Sequence, residues 1–247
     1  MKTTLLTFAT LSLMAFGIHQ GTNKTEIQPT SVTDTNRNTF KTVTIGEQTW
    51  MAENLNVDKF KNGVPIPEAK TREEWEKFGK EGNPAFCYYD FDAANGKIYG
   101  KLYNWFAVND PRGIAPEGFV VASDQDWMKL METVKSSGQG IALDLRTKEG
   151  WEFGKSGGVS TDVFGFSSPA SGSISSEGSF KNKSNSAYFW TSVEDPIKEG
   201  ERTTKDGKTV KFKNDNAYYQ YQNTTTNSFS HGSWSKKNGL SVRCVKK

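Results

Sequence analysis

Apolar and polar positions along the chain fall into segments of different period. Residues 5–16 form an apolar stretch with Thr and Ser interspersed and no amphipathic period, preceded by Lys2 and followed by the small Gly17. This is the pattern of a secretory signal peptide over 1–17, and export is the expectation. Thr, Asn and Gln dominate the next segment, and the absence of apolar periodicity reads as a flexible linker over 18–39. From Phe40 the pattern alternates. Val43 and Ile45 interleave with Thr42 and Thr44, Gly46-Glu47 follows, and Thr49-Trp50-Met51 resumes, which predicts a hairpin and opens a single domain over 40–247.

Helical spacing comes next. Thr71 stands three residues before Glu74, with Trp75 and Phe78 on one face and glycines at 79 and 82, so a short capped helix is expected. Pro84 to Asp90 reads as strand. Leu102, Trp105 and Phe106 have helical spacing and predict a core-facing helix over 98–108. After a strand at Phe119-Val120-Val121, Ser123 and Asp126 resemble a capping box ahead of Trp127, Leu130, Met131 and Val134, with Gly138 as the stop and a further short helix over Ile141 to Leu145.

Beyond Gly154 the chain is rich in Gly, Ser, Asn and aromatics. Strands are predicted at 164–168, 187–193, 217–223, 225–230 and 240–245, and Asp206-Gly207 marks an exposed hairpin within the charged stretch 198–213. Helices first and short strands later imply an α+β fold, short helices packed on a twisted antiparallel sheet with a loop-rich second half.

Composition refines this. Thirty-one basic and 28 acidic residues give a net charge of +3 spread along 247 residues. No one-sign stripe is available to track phosphates, which argues against nucleic acid as a partner. Nothing after residue 17 has the apolar length to cross a bilayer, so no transmembrane segment is expected. The two cysteines, Cys87 and Cys244, both have strand-like neighbours. In an oxidising compartment the simplest reading is one disulfide closing a long loop; two buried thiols are the alternative.

Six blocks, Thr44 to Leu55, Tyr99 to Trp105, Ala115 to Phe119, Ser123 to Trp127, Phe189 to Ser192 and Gly239 to Val245, together resemble the Fibrobacter succinogenes major paralogous domain (FISUMP). The resemblance implies an exported or surface protein of Bacteroidetes or Fibrobacteres. It also implies a body similar to C-type-lectin-like and formylglycine-generating-enzyme-like folds, in which the terminal strands pair and loops of the second half carry the binding surface.

Candidate chemistry is sparse. With only His19 and His231 as histidines, no base stands ready for a nucleophilic triad, and zinc lacks four ligands. Asp90, Asp92, Asn95 and Gly96 alternate like calcium ligands without the closing Glu, and turn chemistry accounts for them. The carboxylate pairs Glu194/Asp195 and Asp124/Asp126 sit where a loop and a helix N-terminus want them. No catalytic residue, metal or cofactor is assigned, and the chain is not expected to be an enzyme; formylglycine-generating-enzyme-like catalysis ranks third. The stretch Asn216 to Trp234 stands out. Tyr219 and Tyr221 share one strand face, and Asn223, His231 and Trp234 follow, a mixture of rigid aromatic anchors and adaptable polar groups suited to recognition. The expectation is a secreted, periplasmic or cell-surface binding module for a glycan or protein, with adhesion as one use. The alternative is a structural surface or matrix subunit that assembles through the arm before Asn38.

Overall fold

The structure is a computed structural model and describes residues 30–34, 37–135, 140–153, 158–197, 199–213 and 215–247. The expected signal peptide, His19, most of the expected linker and the helix stop at Gly138 lie outside these residues.

In chain order, β1 (Thr30–Thr33), β2 (Thr39–Ile45) and β3 (Gln48–Met51) precede α1 (Arg72–Glu81) and β4 (Phe86–Cys87). Then come α2 (Gly96–Tyr99), β5 (Leu102–Asn104), α3 (Trp105–Val108), β6 (Phe119–Val121), α4 (Asp124–Lys135) and α5 (Ile141–Leu145). Strands fill the remainder: β7 (Ser171–Ile174), β8 (Phe180–Lys183), β9 (Ser186–Glu194), β10 (Glu199–Thr203), β11 (Thr209–Lys213), β12 (Asn216–Asn223), β13 (Ser230–Ser235), β14 (Gly239–Val242) and β15 (Cys244–Lys246). This is a mixed α+β fold with a few short helices and a many-stranded sheet.

The local signals act as their chemistry requires. Thr71 accepts the Glu74 N–H to start α1, and Gly82 ends it in the left-handed region. Ser123 and Asp126 cap α4 reciprocally: the Asp126 carboxylate accepts the Ser123 N–H at 2.8 Å and the Asp126 N–H reaches Ser123 Oγ at 3.2 Å. The hairpin around Asp206-Gly207 forms as a separate two-stranded sheet, β10 with β11.

Three expectations change. The run 98–108 is not one helix. Asn104 accepts the Ala107 N–H as the cap of α3 and the Ala85 N–H from the neighbouring segment, so the residues before it pair as β5 between β4 and β14. Residues 164–168 do not form a strand, because Gly165 adopts φ 65° and Ser167 φ 52°, which breaks an extended run. Within the segment expected as a linker, Thr30–Thr33 is a strand paired antiparallel to β2, from Thr30 opposite Thr42 to Thr33 opposite Thr39.

Two sheets share the body. One runs β1-β2-β3-β15-β6; the other runs β13-β12-β9-β7-β14-β5-β4, with β8 on β7. Most pairings are antiparallel, but β14 and β7 each run parallel to β9. The last two strands are consecutive in sequence yet lie in different sheets, and Arg243 stands at the bend between them. It is fully buried. Its guanidinium donates to Asn54 Oδ1 (2.8 Å) and to the carbonyls of Met51 (2.8 Å), Phe166 (2.7 Å) and Ser167 (2.7 Å), and lies 4.4 Å from the Phe166 ring centre. Burial lowers this group to about 9, which leaves it charged at neutral pH. One planar cation thus fastens the end of β3 and the loop before β7 to the corner where the chain changes sheets.

The expected Cys87–Cys244 disulfide is absent: both residues are buried thiols. Cys87 pairs with Leu102 in the second sheet, packed with Trp75 and Ile174, whereas Cys244 pairs with Val121 in the first sheet and belongs to a different apolar cluster. Strand-like neighbours made a bridge plausible; each thiol is instead enclosed within its own apolar cluster.

Candidate functional site

Strands β9, β12 and β13 lie side by side, and their register decides which rings meet. Tyr188 opposes Tyr221, Trp190 opposes Tyr219, Tyr219 opposes Gly232, and Ala217 opposes Trp234. Alternation along each strand places Tyr188, Trp190, Tyr219, Tyr221 and Trp234 on one face. Trp190 is fully buried, sealing the apolar cluster beneath, and its indole N–H donates to the Tyr103 carbonyl at 2.9 Å. The other four rings are half-buried. Tyr188 lies 5.7 Å from Tyr221, 6.0 Å from Tyr219 and 5.9 Å from Trp234, and Tyr219 lies 5.6 Å from Trp234. These separations are within the range of direct aromatic contact.

Position 232 must be small for this arrangement, since a Cβ there would sit 2.8 Å from the Tyr219 hydroxyl. The Tyr219 phenol is held above its usual value, first by burial and then by the neighbouring Tyr188 and Tyr221. At the margin, Asn182 Nδ2 donates to the Tyr188 hydroxyl at 2.8 Å.

Of the five residues expected at the binding face, Tyr219, Tyr221 and Trp234 converge and two do not. His231 opposes Gln220 on the reverse face, exposed, with its ring 5.5 Å from Tyr218. Asn223 turns its side chain inward to the following loop, where Oδ1 accepts from the Thr225 N–H (3.0 Å) and hydroxyl (2.7 Å). The loop this organises replaces the strand expected over 225–230. Tyr188 completes the cluster and was missed; the only signal for it was its spacing two residues before Trp190 on a predicted strand.

Beneath the Asn223 loop Arg146 is fully buried, donating to Gln222 Oε1 at 3.2 Å, to the Thr226 carbonyl at 2.9 Å and to the Asn223 carbonyl. Its guanidinium lies 4.6 Å from the Trp151 ring centre, and burial lowers it to about 10. The loop therefore rests on a charged pedestal, which favours one conformation.

The remaining candidates have structural partners. Asp92 accepts the Ala94 N–H, Asn95 donates to the Tyr89 carbonyl, and Asp90 meets Lys183 at 3.3 Å. Asp124 accepts from Gln220 at 3.0 Å, Asp195 accepts the Ile197 N–H, and Glu194 pairs with Lys236. Burial pushes the Cys87 thiol well up and the Cys244 thiol up to about 12. Among the described residues no group of three or more His, Cys, Asp or Glu side chains gathers as a metal centre, and no helix is long and apolar enough to cross a membrane.

Fold and site together define a mixed α+β domain with a half-buried aromatic patch on an outer sheet face. The chain belongs to the family described as the Fibrobacter succinogenes major domain, which it matches over residues 43–246. That description names Fibrobacter, so the attribution to Bacteroidetes drawn from the resemblance is corrected. No curated protein and no solved structure matches the chain.

The blocks that carried the family resemblance interlock inside the body. Asn54 donates to the Tyr99 carbonyl at 2.9 Å and accepts from Arg243; the Leu55 N–H bonds the Val242 carbonyl; Trp105 donates to the Thr191 carbonyl at 3.0 Å. Gly100, at φ +70°, leaves room where a Cβ would come within 2.9 Å of the Leu55 carbonyl oxygen. The family signature thus specifies a scaffold, and the aromatic patch, apart from Trp190 at its base, is built from residues outside those blocks.

Proposed function

We propose that this protein is a non-catalytic binding module acting outside the cytoplasm, and that it holds its ligand on the face formed by Tyr188, Tyr219, Tyr221 and Trp234. The observation carrying this reading is the contact of four half-buried rings on one sheet face, above the sealed Trp190. Rings fixed by neighbours present apolar area with little entropy left to lose, and their hydroxyl and indole groups add directional contacts. A glycan or a protein surface suits such a face. The exported location rests on the signal-like residues 1–17 and on the family. The C-type-lectin-like arrangement is supported by β15 pairing with β3, which brings the two ends of the domain together as that fold class requires.

A glycan array and a pull-down from surface extract, each with the wild-type chain and with Tyr219→Ala, Tyr221→Ala and Trp234→Ala, test the reading. Truncating an anchor ring at a binding hot spot costs about 2 kcal/mol or more, roughly thirtyfold in affinity. Loss on that scale by at least one variant is expected; a ligand held equally well by all three rejects the face.

A second reading, assembly with copies or neighbours, is favoured by one observation. Strand β13 forms an edge of its sheet and its Ser230–Ser235 sequence carries no Lys or Pro to discourage pairing. Sedimentation of the wild-type chain and of a Ser233→Pro variant separates the two, since edge-driven assembly requires the variant to be the smaller species.

A further inference from the structure

Away from the aromatic face, three clefts of about 460, 410 and 420 Å³ adjoin, and Glu53 lines all of them. The first is walled by Phe40, Asn54, Asn56 and Ile98, with Arg37 and Lys97 at its margin. The second is apolar, walled by Ala52, Ile98, Tyr99, Pro169 and Ala170, with Glu149 on its rim. The third runs from Lys41 to Asp162 and Val163. Ile98 is 66% exposed and Val163 51% exposed, so two large aliphatic side chains stand in solvent beside this junction.

The polar groups in the clefts differ in what they have left to offer. Asn54 is spent on the Tyr99 carbonyl, Ser241 and Arg243, and Asn56 on the Gly96 carbonyl and Lys101. Amides so engaged leave little for the hydroxyls of a sugar. Glu53 is half-buried, and its Oε1 accepts the Lys41 N–H at 2.7 Å. The floor is rigid: Asp162 binds the Ser167 N–H at 2.8 Å and hydroxyl at 2.7 Å, while Arg243 holds the Ser167 carbonyl from below.

We infer that this junction is a second binding site, distinct from the aromatic face, and that it takes an extended peptide segment of a partner protein in which Lys or Arg neighbours an aliphatic side chain. The aliphatic group enters the apolar cleft against Ile98 and Pro169, and the cation meets Glu53, with Glu149 in the same apolar cleft. Arg37 and Lys97 favour an acidic residue at the far end of the segment. Charge complementarity sets the order of residues, and burial beside Ile98 supplies affinity.

Selection of phage-displayed random dodecapeptides on the full chain tests this, followed by calorimetry of the synthesised winners. The winners should carry Lys or Arg within a few positions of Leu, Ile or Val. Affinity should fall at least tenfold with Glu53→Gln, which removes the charge but keeps an acceptor for the Lys41 N–H, and with Ile98→Asp at an exposed position that the fold does not need. Replacing the peptide's Arg by citrulline should cost as much, and Tyr219→Ala should cost nothing. Winners without the basic-aliphatic pairing, no winners at all, or affinity unchanged by Ile98→Asp would overturn the inference; loss with Tyr219→Ala would assign the peptides to the aromatic face instead.

Discussion

Replacing Arg243 by Met keeps the length of the side chain and removes its charge and its donors. Four acceptors lose their donor at once: Asn54 Oδ1 and the carbonyls of Met51, Phe166 and Ser167. Hydrogen bonds to a charged group contribute about 1.5–3 kcal/mol each, and stranding a buried acceptor costs about 1–3 kcal/mol. Against this, a cation no longer has to be buried, and such removal recovers several kcal/mol. The net expectation is a loss of about 4 kcal/mol, in line with breaking a buried charged network. For a domain of this size each kcal/mol shifts the midpoint by about 2–4 °C, so scanning calorimetry should show a fall of about 8–16 °C. Arg243→Lys retains a charge but not the planar fork that reaches several acceptors together, and should recover less than half of the loss. A Met variant within about 2 °C of wild type would refute the clamp; a Lys variant equal to wild type would show that charge matters and fork geometry does not.

Two further outcomes follow from burial. Cys87 and Cys244 are enclosed and their thiols are raised, so neither should react with a thiol reagent in the folded protein and both should react once concentrated guanidinium unfolds it; a mass showing two hydrogens lost to a disulfide would contradict the fold. Burial holds the Asp162 carboxyl above its ordinary value, so the folded chain keeps this proton to higher pH than the unfolded chain and stability from this group is lost as pH rises through the folded value. Asp162→Asn abolishes that titration, and its urea midpoint should gain on wild type as pH climbs from about 4 toward neutrality; a gap that does not change with pH would reject the burial argument.

What could be read in the sequence was local. The caps at Thr71 and Ser123 and the turn at Asp206-Gly207 each rest on chemistry within a few residues, and each formed as expected. The aromatic alternation of β12 was equally legible, and it placed Tyr219 and Tyr221 together. Lateral information was not. Tyr188 joins the patch because β9 pairs with β12 in one register, and His231 leaves it because it falls at an odd step on β13. Residues 98–108 had a helical period, but pairing with β14 and β4 outweighed it over Leu102–Asn104. The cysteines were misjudged for the same reason: their strand-like neighbours are similar, but lateral packing encloses them in different apolar clusters.

The bend at Arg243 also bears on how the protein is made. Val245 lies opposite Trp50 and Ser241 beside Phe189, so the segment Gly239–Lys246 occupies interior positions in both sheets. Pairings so distant in sequence are slow to form, and neither sheet can close before this segment is available. Completion of both sheets therefore waits on this one short segment, whatever other pairings have already formed.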